Sequence, residues 1–329
     1  MSVKIGIPRA LLYYEYYPMW KTFFQELGLE VVLSDPTTKT ILNDGVKHCV
    51  DEACLPVKLF HGHVINLKNR ADYIFIPKLT SIARGEYICP KFCGLPEMVG
   101  FSIKDLPPVI DVEINLRNPK SVLYKSFEQI GRYFTQDTRL IKAAFNKAME
   151  AQKYYLKSIK QGKLPSELLE NQKFVSPVKA DLRIALIGHV YNLYDKYISM
   201  DILSKLKKQG IEVITPEQLE DAKIEEQANR MNKKMFWSFG KRLLGATLCL
   251  KDRKDIDGII FIMSFGCGVD AFISDLCERR IRRETGIPFF LLTIDEHSGE
   301  AGVNTRIEAF LDMIRWRRKN EESNISAYG

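Results

Sequence analysis

The feature that most constrains this chain is an alternation repeated in both halves: a short β-branched run, a helical pattern, then another short run. In the first half the runs are Val3 to Ile7, Glu30 to Leu33, Tyr73 to Ile76 and Val109 to Val112, with a helical pattern over Tyr14 to Leu27. In the second they are Arg183 to Ile187, Ile211 to Ile214, Gly258 to Met263 and Phe289 to Thr293, each with a helical pattern after it. Strands spaced by helical crossovers pair in parallel, so the alternation predicts βαβ units and an α/β fold with parallel sheets. From Pro119 to about Lys163 the pattern is helical, which predicts helices that buttress the first lobe. Leu164 to Asp181 carries two prolines among mixed polar residues and reads as a connection. The expected organisation is an N-terminal α/β lobe with a helical extension (1–165), a linker (166–181) and a C-terminal α/β lobe (182–329). With 329 residues, 46% of them hydrophobic, there is material for two cores.

Lys and Arg exceed Asp and Glu by seven, but the charges are scattered and read as a solvated surface. No helix-turn-helix, zinc-finger or aromatic–basic signature points to nucleic acid. The N-terminal residues lack the charged head, apolar stretch and cleavage site of a secretory leader, and no apolar run reaches membrane-spanning length. A cytoplasmic protein is expected. In that reducing compartment seven cysteines are poor candidates for structural disulfides.

Five of those cysteines fall in three strand-to-helix connections. Cys49 and Cys54 lie in His48-Cys49-Val50-Asp51-Glu52-Ala53-Cys54-Leu55-Pro56, Cys89 and Cys93 in Cys89-Pro90-Lys91-Phe92-Cys93, and Cys267 in Ser264-Phe265-Gly266-Cys267-Gly268. In open parallel sheets such connections form the ligand crevice. They bring thiolates in from different directions beside the free N–H groups of helix starts, as an iron–sulfur cluster requires. Gly266 and Gly268 would let the backbone approach such a group closely. The C-x4-C and C-x3-C spacings with a distant Cys267 match neither a zinc ribbon nor a ferredoxin, so spacing alone leaves an iron–sulfur site, zinc and plain burial open. Cys249 sits in an apolar helical stretch and reads as core; Cys277 lies about 15 Å along the helix that Cys267 precedes.

Several motifs together resemble those of the acyl-CoA dehydratase activase-related proteins. That group belongs with the 2-hydroxyacyl-CoA dehydratase, benzoyl-CoA reductase and double-cubane cluster proteins. The motifs are Ile5-Gly6-Ile7-Pro8-Arg9-Ala10-Leu11, Asp51-Glu52-Ala53-Cys54-Leu55-Pro56-Val57-Lys58 with His61-Gly62-His63, and Ile88-Cys89-Pro90-Lys91. In the second half they are Gly188-His189 with Tyr191-Asn192-Leu193-Tyr194-Asp195, Ser264 to Gly268, and Asp295-Glu296-His297-Ser298-Gly299-Glu300-Ala301-Gly302. The resemblance implies two flavodoxin-like (Rossmann-like) lobes with a cluster at their junction. In such dehydratases three thiolates hold a [4Fe-4S] cluster with one iron open to substrate oxygen or water. A separate ATP-hydrolysing activase of the actin-like superfamily delivers the low-potential electron. A sister branch carries a double-cubane [8Fe-9S] cluster with three cysteines on each cubane. Carried over by position, Cys54, Cys89 and Cys267 are the three-thiolate candidates. Cys49 and Cys93 could support a second cubane with Cys277, replace a ligand, or do neither. The resemblance also implies a homologous dehydratase-like subunit or a homodimer as partner.

Among the remaining residues, His61 and His63 are two apart, hence on different faces of a helix, and read as packing residues with a hydrogen bond to a loop. His189 and His297 each follow a predicted strand and are candidate donors to substrate or cluster sulfide. Asp295 to Glu300 would either orient a ligand or cap the following helix. No phosphate-binding glycine loop is present, so ATP hydrolysis would belong to a partner.

Overall fold

The computed structural model describes residues 2–83, 85–117, 120–170, 180–231 and 233–326. Ten strands occur among them: β1 (Lys4–Ile7), β2 (Glu30–Leu33), β3 (Tyr73–Phe75), β4 (Lys78–Ser81), β5 (Val109–Ile110), β6 (Glu113–Asn115), β7 (Arg183–Ile187), β8 (Glu212–Ile214), β9 (Gly258–Ser264) and β10 (Phe289–Ile294). They form two four-stranded sheets, β2-β1-β3-β5 and β10-β9-β7-β8, and a small β4-β6 pair. Every strand pairing is parallel. Within each large sheet, strands counted in chain order run second, first, third, fourth, the flavodoxin-like arrangement. Both halves therefore carry the expected α/β lobe, built to one plan.

The local chemistry explains the elements. β9, Gly-Ile-Ile-Phe-Ile-Met-Ser, is buried along its whole length, as a central parallel strand covered on both faces must be. Pro77 cannot donate to a ladder, so β3 stops short of it. The chain then re-pairs as β4 with β6, two short polar segments whose composition carries no strand signal. In the helical extension, Asp137 caps the Thr138–Lys160 helix by accepting from the N–H groups of Arg139 and Leu140. Phe145 of that helix packs on Phe127, which stacks on Trp20, with ring centroids of 4.9 Å for Phe127–Phe145 and 5.2 Å for Trp20–Phe127. The extension thus buttresses the first lobe, as its pattern predicts. Of the expected linker, 171–179 lies outside the described residues; just before it, Pro165–Glu170 forms a short helix.

The helices Lys39–Lys47 and Leu55–Leu67 cross at Gly45 and Gly62. A Cβ on Gly45 would lie 1.9 Å from the Lys58 carbonyl oxygen, and one on Gly62 1.9 Å from that of Ile41. Only glycine permits this approach, which fixes the helix that begins after Cys54.

One apolar core runs from Ile5 through Ile314, so the lobes share a packed junction. Across it Arg242 pairs with Glu15 at 3.2 Å, Lys241 with Glu86 at 2.8 Å, and Lys58 with Glu296. Backbone joins the lobes too: the Tyr87 N–H donates to the Phe236 carbonyl (2.7 Å) and the Ser238 N–H to that of Tyr87 (2.9 Å).

Candidate functional site: a three-thiol cleft at the lobe junction

Cys54, Cys89 and Cys267 are the N-cap residues of three different helices: Leu55–Leu67, Pro90–Cys93 and Gly268–Glu284. Proline at the first or second helical position starts two of them, where its missing N–H costs nothing. All three thiols line one cleft of about 570 Å³ including its mouth, walled by both lobes. Two thiols come from the first lobe and one from the second, with His189, the N-cap residue of the Val190–Leu193 helix, beside them.

Gly266 closes the approach between the lobes. Its φ is +78°, and a Cβ there would stand 3.4 Å from the Cys54 Cα. Gly268 opens the helix after Cys267, and a Cβ on it would meet nothing within 4 Å.

The thiols sense one another. Burial, then the Asp270 carboxylate, and then the charges of Cys54 and Cys89 push the Cys267 thiol up to about 12. Burial also raises that of Cys54, against the opposing pull of the Lys91 ammonium and the Val57 N–H. Ionising all three together therefore calls for a compensating positive charge among them. No group of three His, Cys, Asp or Glu among the described residues is placed to hold a single metal ion. Zinc draws four donors to about 2.0–2.3 Å of one centre. A cluster instead takes one thiolate per iron, so its donors stand apart, and an all-thiol set suits soft iron–sulfide chemistry. The residues present fit such a group.

His189 Nε2 lies 2.7 Å from Asp270 Oδ1, and its ring stacks on Tyr191 at 5.0 Å. Asp270 is fully buried, and its Oδ2 has no hydrogen-bond partner among the described residues. Asp270 was legible only as an acid in the first turn of a helix, where the dipole favours it.

The other candidates lie elsewhere. Cys49, half-buried, shares the electrostatic surroundings of Cys54, Lys58 and Lys91 but does not line the cleft. Cys93 is exposed at the end of its short helix. Cys277 is fully buried in the second lobe's core, its thiol pushed up to about 12 by burial with Thr247 as hydrogen-bond partner. Cys249 is half-buried on the Ser238–Lys251 helix. His297 is exposed in the turn before the Glu300–Ser326 helix; its backbone N–H donates to Asp295 Oδ1, and Ser298 Oγ bonds the same carboxylate. Asp295 and Ser298 thus build a turn of the Asx type.

His61 and His63 do face different ways. His61 Nδ1 pairs with the Val57 carbonyl at 2.8 Å. His63 bonds Ser34 Oγ (2.8 Å) and Thr37 Oγ1 (3.0 Å), and the Thr37 hydroxyl donates to Asp195 of the second lobe. Burial drives His63 down to about 3 and Asp195 up to about 6. The loop hydrogen bond expected of the histidine pair is made by His63, whereas the junction relay that continues it through Thr37 to Asp195 of the other lobe has no counterpart in the sequence pattern.

With this geometry in place, two families match the chain. The CoA enzyme activase uncharacterised domain matches residues 4–219. The chain belongs to that family. The 2-hydroxyglutaryl-CoA dehydratase D-component family matches residues 221–314. This member of the activase-related dehydratase superfamily therefore bears out the resemblance of its motifs, and it is a 2-hydroxyacyl-CoA dehydratase-related protein. No curated protein matches it. The border between the matched segments falls between β8 and β9, inside the second sheet, so neither segment coincides with a lobe. The cleft of this family member draws Cys54 and Cys89 from the first segment and Cys267 from the second. No helix among its described residues is long and apolar enough to cross a membrane.

Proposed function

We propose that the chain is an iron–sulfur enzyme subunit of the 2-hydroxyacyl-CoA dehydratase type. In this reading Cys54, Cys89 and Cys267 hold one [4Fe-4S] cluster, and a separate ATP-hydrolysing activase of the actin-like superfamily supplies low-potential electrons for a reduction or a radical dehydration. The observation that carries it is the convergence of three thiols, each at the start of a different helix, on one cleft between the lobes. Such a cluster, when bound, supplies an electron at low potential and an iron free to take an oxygen ligand.

The remaining work falls to the chain's own residues. The positive ends of the Leu55–Leu67 and Gly268–Glu284 helices and the Lys91 ammonium favour an anionic group at the thiols. Leu11, Ile88, Phe92 and Val269 give the cleft apolar walls that exclude water. His189, with Nε2 tied to Asp270, keeps Nδ1 as the nitrogen that gives or takes a proton. His297 has no part in this reading, since it lies outside the cleft.

Anaerobic purification followed by iron and acid-labile sulfide analysis tests the proposal. About four of each per chain is expected; zinc without sulfide would sink it. One observation favours a second reading: Cys49 shares the surroundings of Cys54. As a fourth ligand it would saturate the cluster and make this an electron-transfer or scaffold subunit. EPR spectra of the reduced protein that shift on adding an acyl-CoA support the open iron, and unchanged spectra support the saturated one. A double-cubane cluster needs six thiolates and would have to recruit Cys277 or Cys249, neither of which lines the cleft, and this weighs for the single cluster.

A further inference from the structure

A second cavity opens beside the carboxyl ends of β1 and β3, the crevice where a sheet of this strand order takes its ligands. Ile7, Ala10, Trp20, Phe60, Phe75 and Leu79 are among its walls, and it spans about 590 Å³ including its open mouth. Among the described residues no acidic, basic or histidine side chain lines it. Leu11 and Phe92 line both this cavity and the three-thiol cleft, so the two spaces adjoin. Leu11 has a φ of 52°, a left-handed conformation that residues bearing a Cβ rarely adopt. Backbone strain of this kind concentrates at ligand clamps and active sites. Tyr13 lines the cavity as well, and its buried hydroxyl has no hydrogen-bond partner among the described residues.

We propose that this cavity is the subsite for the hydrocarbon tail of an acyl substrate whose reacting end lies in the three-thiol cleft. The substrate class is then an uncharged aliphatic or aromatic acyl group. The inference rests on the reading of the cleft as the reaction site and deepens it. A void among close-packed side chains forfeits dispersion contacts, which a hydrocarbon tail restores. A terminal carboxylate entering the same walls loses its hydration with no cation among the described lining residues to replace it. The family matching residues 221–314 is named for a dicarboxylic acyl group, and this cavity would refuse one.

The test titrates the full chain, free of iron, with hexanamide and phenylpropanamide, and with glutaramate as the charged control, by calorimetry. The neutral amides are expected to bind more than about tenfold tighter than glutaramate. Ala10→Phe and Leu79→Phe fill the cavity from residues that do not line the thiol cleft. Each should weaken the neutral amides about tenfold while leaving the far-UV circular dichroism unchanged. A check that needs no variant is xenon-pressurised crystals, in which xenon should occupy the cavity and be displaced by hexanamide. Equal affinity for the charged tail, no binding of the neutral amides, binding untouched in folded variants, or xenon that the amide does not displace overturns the proposal. Because the titrated protein carries no iron, its failure is distinguishable from a failure to find iron and sulfide in anaerobic protein.

Discussion

The two lobes share a strand order and differ in what stands at the crevice where that order reverses. In the second lobe the chain leaves β7 and turns at once into the Val190–Leu193 helix, which seats itself on β9: Asn192 Oδ1 accepts from Ser264 Oγ at 2.9 Å. In the first lobe Pro8 to Leu12 carry the chain further before the Tyr13–Glu26 helix begins, and an apolar cavity is left beneath. The second lobe lines its crevice with polar side chains and opens it toward the three thiols, whereas the first leaves an apolar cavity. Topology fixes where a site can be, and a few side chains decide whether one is there. The three-thiol cleft draws on both lobes, so the comparison can be tested by unbalancing it.

Loss of the one thiol from the second lobe should have the largest effect. Cys267→Ser is expected to lower bound iron and sulfide more than about tenfold, as fully as Cys54→Ser does, because each thiolate would serve a separate iron. If Cys267→Ser retains normal iron and sulfide, the second lobe is a bystander. Next comes Gly62→Ala, which forces apart two helices of the first lobe alone. A destabilisation of about 3 kcal/mol is expected in denaturant unfolding, together with weaker iron retention, since the displaced helix presents Cys54. Stability within about 0.5 kcal/mol of the parent would show that the crossing relaxes freely.

At the junction, Lys58 is almost fully buried against a partly exposed Glu296. Lys58→Met should cost about 1–2 kcal/mol, below the value for a fully buried pair because water reaches the glutamate. A double-mutant cycle with Glu296→Gln measures the coupling.

The junction relay gives a pH signature. His63 is held neutral down to about 3, below its ordinary value of 6.5, so between these limits the unfolded chain binds a proton that the folded chain refuses. Stability from this group is full above about 6.5 and is lost as pH falls toward 3. Asp195, raised from 3.8 to about 6, works the other way, contributing at low pH and losing its contribution as pH rises through 6. In His63→Gln the proton uptake on unfolding at pH 5 should fall by about one; an unchanged value would mean that the imidazole is solvated. The smallest effect is expected at the exposed Cys93: Cys93→Ser should leave iron content and melting temperature as they were, and a loss of iron would bring the second half of its motif into the site.

How much of this was legible follows from the residues concerned. The eight strands of the large sheets announce themselves because Ile, Val and Phe crowd into short runs between helical patterns. β4 and β6 do not, since Lys-Leu-Thr-Ser and Glu-Ile-Asn are too short and polar to rise above a loop. The three thiols could be named from their strand-to-helix positions, but their meeting could not, because spacing along a chain says nothing of how two lobes dock. The Thr37–Asp195 contact, 158 residues apart, left no local mark at all. Nor did the hollow crevice, whose Trp, Phe and Leu walls read like any other core.

The split origin of the cleft also sets a timetable. Cys89 leaves the ribosome 178 residues ahead of Cys267, which at about 5–20 residues per second is a delay of roughly 10–40 s. Throughout that interval Cys54 and Cys89 belong to a lobe whose thiols lack their third member and the wall that will cover them. The nascent chain therefore passes through an obligatory window in which a pair of thiols that the finished protein half-buries in the cleft stands without the second lobe. Slower synthesis between residues 89 and 267 lengthens that window in proportion.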